Sequence, residues 1–233
     1  MTDSRVDSVE LPDGKMDVHV WLPASGRGPG LTLIPAIFGL STHIRTVAGR
    51  LTDAGYVVGV PDLFWRFAPG WQADADEAGL AASMATAARL DRDGAVDDCG
   101  AVLEHLAALP DVGGDPGVIG FCLGGTLAFG TAIRYEPSVC VSYYGSGVVG
   151  LLDGIGDVNC PTLLHFGSRD QSIPGEAVEQ IAAATDGRAN IAVNVEIAGH
   201  AFDDEAPMFH DEGAARSAWS KTMAVLAEHL PVS

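Results

Sequence analysis

The chain has 233 residues, a length that suits one large α/β domain, and no stretch of the sequence reads as a linker. We therefore expect a single domain over residues 1–233. The formal net charge of −18 argues against nucleic acids and anionic membranes as partners, because both are negatively charged. Residues 1–10 lack the apolar core of a signal peptide, and no apolar run reaches the roughly 18 residues of a membrane span, so a cytoplasmic location is expected.

The four cysteines of the chain are expected to be reduced thiols. None belongs to a C-x-x-C pair or has metal-ligand spacing with a histidine, so the sequence predicts neither a disulfide framework nor a metal site. We expect Cys99, Cys140 and Cys160 to fill space in the core. Cys122 has a different sequence context.

The chain begins with a predicted hairpin and continues with alternating strands and helices. Polar and apolar residues alternate at 5–10 and 15–22 around the turn at 12–14, which predicts an antiparallel pair at a sheet edge. Further strands are predicted at 31–34, 56–60, 117–121, 139–144, 162–166 and 191–197. Helices are predicted at 42–54, 74–89, 91–109, 127–133, 176–184 and 213–229. This alternation indicates an α/β fold with a mostly parallel sheet and helices on both faces.

The segment at 120–126, Gly-Phe-Cys-Leu-Gly-Gly-Thr, lies between a predicted strand and a predicted helix. Its G-x-C-x-G pattern is that of a nucleophile elbow with cysteine in place of serine. Glycines suit such a tight turn because a Cβ atom would obstruct the backbone. Cys122 would then lie at a helix N-terminus, where unpaired N–H groups and the helix dipole favour a thiolate. The alternative is that Cys122 is a buried small apolar side chain beside glycines that only form a turn.

Two further polar residues follow late strands of the predicted sheet. Asp170 comes after the apolar run 163–166, and His200 comes after 193–197. The carboxyl ends of parallel strands share one edge of a sheet, which is also where the elbow lies. The order Cys122, Asp170, His200 is the nucleophile, acid, histidine order of α/β-hydrolases. We predict that Cys122 attacks the substrate, that His200 accepts and returns the proton, and that Asp170 orients the imidazole.

The remaining histidines are assigned mostly structural places. His43 opens the helix predicted at 42–54 after a loop that also follows a strand, so it either lines the pocket or serves only the helix start. His165 lies within a predicted strand and is expected in the core, whereas His19 is expected to be exposed on an edge strand. Helix surfaces or helix ends suit His105, His210 and His229.

Five segments together resemble the dienelactone hydrolase family, cysteine hydrolases with the α/β-hydrolase fold. They are Gly-Phe-Cys-Leu-Gly-Gly at 120–125, Ile-Phe-Gly at 37–39, Pro-Asp-Leu-Phe-Trp-Arg at 61–66, Gly-Ser-Arg-Asp-Gln-Ser-Ile-Pro at 167–174 and Ala-Gly-His-Ala-Phe at 198–202. The resemblance implies a triad of Cys122, His200 and Asp170. It also implies an oxyanion hole formed by the backbone N–H groups of Leu123 and Ile37, each such donor being worth about 3 kcal/mol. No metal or organic cofactor is implied.

Two features depart from the family pattern. Members that act on dienelactone carry a glutamate before the Ile-Phe-Gly loop that takes part in activating the thiol, and Ala36 stands there in this chain. Those enzymes also bind the substrate carboxylate with arginines, but residues 74–88 contain none, and Asp204 stands four residues after His200. A carboxylate substrate would meet like charge there. We therefore expect a small neutral or cationic ester, lactone or thioester as substrate.

Seven side chains are candidates for the lining of the substrate pocket, and core packing is the alternative for the aromatic ones. They are His43, Trp65, Arg66, Tyr143, Tyr144, Phe202 and Asp204. Two other functions stay open, the first of them because of Ala36 and the missing arginines. One is a non-hydrolytic biosynthetic enzyme (cyclase, isomerase or lyase), and the other is a catalytically silent ligand-binding member of the same fold.

Overall fold

The computed structural model describes residues 3–232, so residues 1, 2 and 233 of the predicted single domain lie outside the described residues. The strands are β1 (Asp3–Leu11), β2 (Gly14–Leu22), β3 (Gly30–Ile34), β4 (Val57–Pro61), β5 (Gly117–Phe121), β6 (Cys140–Tyr143), β7 (Thr162–Gly167) and β8 (Ile191–Glu196). They form one sheet in the order β1-β2-β4-β3-β5-β6-β7-β8. The pairs β1·β2 and β2·β4 are antiparallel, and the other neighbouring strands run parallel.

The N-terminal hairpin forms as the alternating pattern predicts, with Val6 opposite His19. Its second strand, however, is internal, because β2 also pairs with β4. The prediction that His19 is exposed on an edge strand is therefore wrong. Its side chain is half-buried, and its ring lies 6.1 Å from that of Trp21.

Residues 3–232 form six α-helices, close to the positions that the sequence predicts. They are α1 (Thr42–Asp53), α2 (Glu77–Ala87), α3 (Arg92–Ala108), α4 (Leu123–Tyr135), α5 (Gly175–Thr185) and α6 (Glu212–His229). Every residue of the five strands from β3 to β7 is buried. Strands with no exposed side are covered on both faces, as in parallel sheets generally. None of the helices within residues 3–232 has the length and apolarity that crossing a membrane requires.

A 3-10 helix over Val148–Asp157 has no counterpart in the predicted elements. Its three glycines disfavour a regular helix by propensity. One of them lies close to the core, since a Cβ atom on Gly154 would be 3.0 Å from Cγ2 of Ile133. Tertiary packing therefore decides the conformation of this segment.

The core confirms the predicted places of four side chains. Cys99, Cys140 and Cys160 are free and buried, and burial raises the pKa of each thiol. His165 is also fully buried, on β7. The single-domain organisation and the cytoplasmic location stay predictions.

Candidate active site

Cys122 stands alone between β5, which ends at Phe121, and α4, which begins at Leu123. Its backbone has φ 54° and ψ −111°, a left-handed conformation that a side chain makes unfavourable. A Cβ atom on Gly120 would overlap the carbonyl oxygen of Gly124, and one on Gly124 would overlap that of Ile34. Glycines are therefore required where the strand and the helix approach each other. The turn presents Cys122 at the first turn of α4.

The structure brings Cys122, His200 and Asp170 together. Nε2 of His200 lies 3.1 Å from Sγ of Cys122, and Nδ1 of the same ring lies 2.7 Å from Oδ2 of Asp170. The other carboxylate oxygen accepts hydrogen bonds from the backbone N–H groups of Ser172 at 2.7 Å and Ile173 at 3.2 Å. Asp170 follows β7 and His200 follows β8, so both side chains come from strand ends at the edge of the sheet where β5 ends.

The electrostatics of the site favour a protonated His200. Burial opposes a charged imidazole, but the hydrogen bonds to Asp170 and Cys122 outweigh it and raise the pKa of His200 to about 10. The carboxylate of Asp170 is held by two backbone donors in addition to the imidazole, and its side chain is buried. The ring of His200 is thus fixed from one side by a carboxylate and faces a sulfur atom on the other.

The loop that contains Ile37 is held rigidly beside Cys122. Nε1 of Trp71 donates to the carbonyl oxygen of Ile37 at 3.1 Å, and the N–H of Gly39 donates to the carbonyl oxygen of Ala36 at 3.0 Å. Gly39 has φ 65°, and a Cβ atom there would overlap the carbonyl oxygen of Trp71. Ile37 and the first residue of α4, Leu123, both line the cavity that contains Cys122.

That cavity has a volume of about 410 Å³. Cys122, His200 and the Ile37 loop form part of its wall, and α2 contributes apolar side chains to another part. The lining residues include Ala36, Ile37, Phe38, His43, Leu80, Met84, Ala87, Arg92, Phe121, Cys122, Leu123, Thr126, Tyr144, Ser146, Ser172, His200, Asp204 and Phe209. The wall is therefore mostly apolar, with a few polar groups near the sulfur atom.

Three of the seven predicted pocket residues lie in this wall, namely His43, Tyr144 and Asp204. Asp204 is only 8% exposed, and one of its carboxylate oxygens accepts from the backbone N–H of Ala206 at 2.9 Å. Tyr144 packs its ring 5.1 Å from the ring of His200. These positions agree with contact to a bound substrate.

The other four predicted pocket residues lie elsewhere. Arg66 forms ion pairs with Asp98 and Asp13, and Nε1 of Trp65 donates to Asp98 at 3.1 Å, so both side chains are engaged by the buried carboxylate of Asp98 on α3. Tyr143 is buried in the sheet, with its hydroxyl 2.6 Å from Oγ1 of Thr222.

Phe202 is fully buried as well, with its ring 5.3 Å from that of Tyr144. For Tyr143 and Phe202 the core-packing alternative is correct.

Arg92 is the charged cavity residue that the sequence does not single out. It is the first residue of α3 and lies beyond the segment 74–88, where family members that act on dienelactone have an arginine. The sequence also does not predict that apolar residues of α2 line the cavity. An alanine-rich helix has no distinct apolar face that would indicate which side lies against a pocket. Among residues 3–232, no three histidine, cysteine, aspartate or glutamate side chains are grouped so that they could hold a metal ion.

A mostly parallel sheet with a nucleophile elbow, and with an acid and a histidine after later strands, defines the α/β-hydrolase class. Within that class the chain belongs to the dienelactone hydrolase family, whose model matches residues 16–230. The resemblance predicted from the sequence motifs is thus confirmed.

Individual relatives span nearly the whole chain. A carboxymethylenebutenolidase from a Pseudomonas species is 34% identical over 221 residues, which are 94% of this chain and 92% of that protein. Carboxymethylenebutenolidase 1 from Cupriavidus pinatubonensis is 28% identical and covers 97% of each chain. A dienelactone hydrolase from Anabaena variabilis shares the fold, with a TM-score of 0.71 at 19% identity over 98% of this chain and 99% of its own.

Proposed function

We propose that this protein is a cysteine hydrolase that cleaves small carboxylic esters, lactones or thioesters. The observation that carries the proposal is the position of Sγ of Cys122, 3.1 Å from Nε2 of His200 in the wall of a mostly apolar cavity. The carboxymethylenebutenolidases among the relatives support lactone cleavage. Their names describe those proteins, and the same chemistry is proposed for this chain.

In the proposed reaction the sulfur of Cys122 attacks the substrate carbonyl carbon and forms a tetrahedral oxyanion. The backbone N–H groups of Leu123 and Ile37 stabilise that oxygen. Collapse of the intermediate breaks the bond to the leaving group, which takes a proton from His200, and leaves an acyl thioester on Cys122. His200 then removes a proton from water, whose oxygen attacks the thioester. Collapse of this second tetrahedral intermediate breaks the carbon–sulfur bond and releases the acid, which leaves Cys122 as the thiolate beside the protonated His200.

Activation of the thiol in this proposal depends on the imidazole alone. Ala36 lines the cavity where dienelactone-cleaving family members carry a glutamate, so no carboxylate from that position approaches the sulfur. The raised pKa of His200, about 10, favours an imidazolium at neutral pH. A cation 3.1 Å from Sγ stabilises the thiolate, which is the nucleophilic form of cysteine.

The charges of the cavity wall favour a neutral or cationic substrate over an anionic one. Asp204 is buried in the wall that also contains Cys122 and His200, whereas Arg92 is exposed and reaches the cavity from the first turn of α3. A substrate carboxylate near Asp204 would be repelled in a poorly solvated place, where such repulsion is strong. The apolar side chains that α2 contributes to the wall suit a hydrocarbon portion of the substrate.

The nucleophile is tested with a small activated ester such as p-nitrophenyl butyrate. Iodoacetamide is expected to alkylate Cys122 and abolish turnover, and Cys122→Ala is expected to lose turnover although the variant still folds. Cys160→Ala is the matched control, because Cys160 lies in the core away from the cavity, and it should keep the activity. Full activity of Cys122→Ala would refute the proposal.

The substrate charge is tested with a neutral p-nitrophenyl ester and an ω-carboxylate ester of equal length. We expect a higher kcat/KM for the neutral ester and a smaller difference between the two in Asp204→Asn. Glu205→Gln is the control, since Glu205 is the exposed neighbour of Asp204 and does not line this cavity. Preference for the anionic ester would overturn the assignment.

The alanine at position 36 and the absence of arginine from residues 74–88 leave a non-hydrolytic reaction open. Turnover in isotopically labelled water separates the two reactions. Hydrolysis places one labelled oxygen atom in the acid product, and cyclisation or isomerisation places none.

A further inference from the structure

A second pair of imidazole and carboxylate groups lies beside the proposed triad. Nε2 of His43 faces Oδ2 of Asp203 at 3.5 Å, and the two side chains are only 7% and 4% exposed. The contact is an ion pair and not a hydrogen bond at this distance, and neither atom has a hydrogen-bond partner among the residues that the structure describes. A buried nitrogen and a buried carboxylate oxygen that face only each other form an interaction that depends on a hydrogen between them.

The other oxygen of Asp203 has a strong partner. Oδ1 accepts a hydrogen bond from the hydroxyl of Tyr144, whose ring packs 5.1 Å from the ring of His200. Burial raises the pKa of the Tyr144 phenol well above its usual value, so the hydroxyl stays a donor. Tyr144 has φ 36°, an unfavourable backbone conformation for a tyrosine, and its N–H donates to the carbonyl oxygen of His165 at 2.7 Å. Hydrogen bonds at the backbone N–H and at the hydroxyl therefore fix the position of the Tyr144 ring.

Asp203 is three residues beyond His200 in the same turn. Within this turn Ala201 has φ 56°, and the N–H of Asp204 donates to the carbonyl oxygen of Ala201 at 2.9 Å. Contacts that fix the carboxylate of Asp203 therefore also restrict the movement of the turn that contains His200. His43 reaches it from the start of α1, and Tyr144 reaches it from the end of β6.

We propose that His43, Asp203 and Tyr144 form an anchor that positions the imidazole of His200 against Cys122 and Asp170. This proposal gives His43 a positioning role in the reaction, and it rests on the proposed function. The groups that face Asp203 are His43, Tyr144 and the neighbouring Asp204. Desolvation raises the pKa of Asp203, and the charge of His43 and the bond from Tyr144 oppose that rise. The anchor is strongest when His43 presents a hydrogen to an ionised Asp203.

The ring of His43 also packs at right angles to Phe121, the residue before Cys122, with 5.3 Å between the ring centres. His43→Phe therefore keeps an aromatic ring of similar shape and removes Nε2. His43→Gln offers an amide N–H to Asp203 and should restore part of the function. Tyr144→Phe breaks the anchor at its other end.

The control is His105→Phe. His105 forms another pair of imidazole and carboxylate groups, with Nε2 3.0 Å from Oδ2 of Asp7, between α3 and β1 and away from the cavity. His105→Phe should leave kcat unchanged.

The expected result is a fall in kcat of about tenfold to a hundredfold in His43→Phe and in Tyr144→Phe, because a small displacement of a reacting group has effects of this size. KM for a small neutral ester should change little. The double variant should lose no more than either single variant, since both changes break one anchor.

The decisive second measurement does not use activity. The pKa of His200, followed by NMR of its ring protons, should fall from its raised value toward 6.5 in His43→Phe and recover partly in His43→Gln.

An unchanged kcat and an unchanged His200 pKa in folded His43→Phe would overturn the proposal. So would a rise in KM at constant kcat, which would show that His43 contacts the substrate instead. If His43→Phe does not fold, His43→Gln and Tyr144→Phe decide the question by the same measurements. Because the NMR readout needs no substrate, failure of the anchor is distinguishable from failure of the proposed hydrolase reaction.

Discussion

Nε2 of His200 lies 3.1 Å from Sγ of Cys122, so the imidazole and the thiol share a hydrogen-bonded contact in the free protein. With Asp170 bonded to the other ring nitrogen, the arrangement resembles a nucleophile, base and orienting acid in series. Each of the two ring nitrogens of His200 therefore has a hydrogen-bond partner.

The pKa of His200 should be measured directly by NMR. The raised value, about 10, means that the folded protein binds this proton more tightly than the unfolded chain, whose histidine titrates near 6.5. The resulting stabilisation is complete below pH 6.5 and is lost as the pH rises through about 10. Asp170→Asn and Cys122→Ala should each lower the His200 pKa. A wild-type value near 6.5 would contradict the hydrogen-bonded geometry.

Replacement of an elbow glycine should destabilise the fold. A Cβ atom on Gly120 would overlap the backbone of Gly124 inside the strand-to-helix turn, so Gly120→Ala should lower the free energy of unfolding by about 3 kcal/mol or more. Gly49→Ala is the control, because Gly49 lies within α1 and a Cβ atom there meets nothing within 4 Å. That variant should gain roughly 0.5–1 kcal/mol from helix propensity. Urea denaturation measures both, and equal stabilities would show that the turn tolerates a side chain.

Trp71→Phe should loosen the loop that is proposed to supply an oxyanion donor. The substitution keeps an aromatic ring but removes the hydrogen bond from Nε1 to the carbonyl oxygen of Ile37. Complete loss of one oxyanion donor costs a hundredfold or more in kcat, and we expect a partial effect of about tenfold for a mobile one. Trp65→Phe is the control, since Trp65 bonds Asp98 instead of this loop. Wild-type kcat in Trp71→Phe would show that the loop needs no such bond.

The buried His165 should make the protein sensitive to acid. Its ring nitrogens are engaged by Thr222 at 3.0 Å and Asn194 at 2.9 Å, and burial together with the charge of Lys221 lowers its pKa to about 3. In the unfolded chain His165 is protonated below about pH 6.5, whereas in the folded protein it is protonated only below about pH 3. Stability should therefore fall with decreasing pH, by up to about 1.4 kcal/mol per pH unit.

Urea denaturation between pH 7 and pH 4 checks this. His165→Gln keeps hydrogen-bonding groups without a titrating ring, so its stability should depend less steeply on pH. Identical slopes for the two proteins would exclude His165 as the cause.

Several features of the fold and site were predictable because they depend on short segments. Glycines at 120, 124 and 125 signal the tight turn, since no other residue fits where backbones nearly touch. Asp170 and His200 follow apolar runs, and the ends of parallel strands meet at one edge. The alternating pattern of the hairpin likewise predicted its pairing, although pairing of β2 with β4 on its other side was missed.

Neighbouring residues show where such reasoning stops. Tyr143 and Tyr144 are adjacent and of one type, yet the first is buried against Thr222 and the second lines the cavity. The φ of 36° at Tyr144, where the chain leaves β6, turns that side chain toward His200. Arg66 was assigned to the pocket, but the carboxylate of Asp98, 32 residues away along the chain, binds it elsewhere.

By itself, then, the sequence determined the α/β class, the elbow and the order of three reactive residues, because alternation, glycine turns and strand ends are encoded within a few residues. Only the tertiary structure decided which side chains surround the sulfur. It placed Arg92 and α2 at the cavity and joined His43 to Asp203 across 160 positions of the chain. Such contacts depend on the packing and desolvation of segments that are distant in the sequence. A pattern within a few residues cannot predict them.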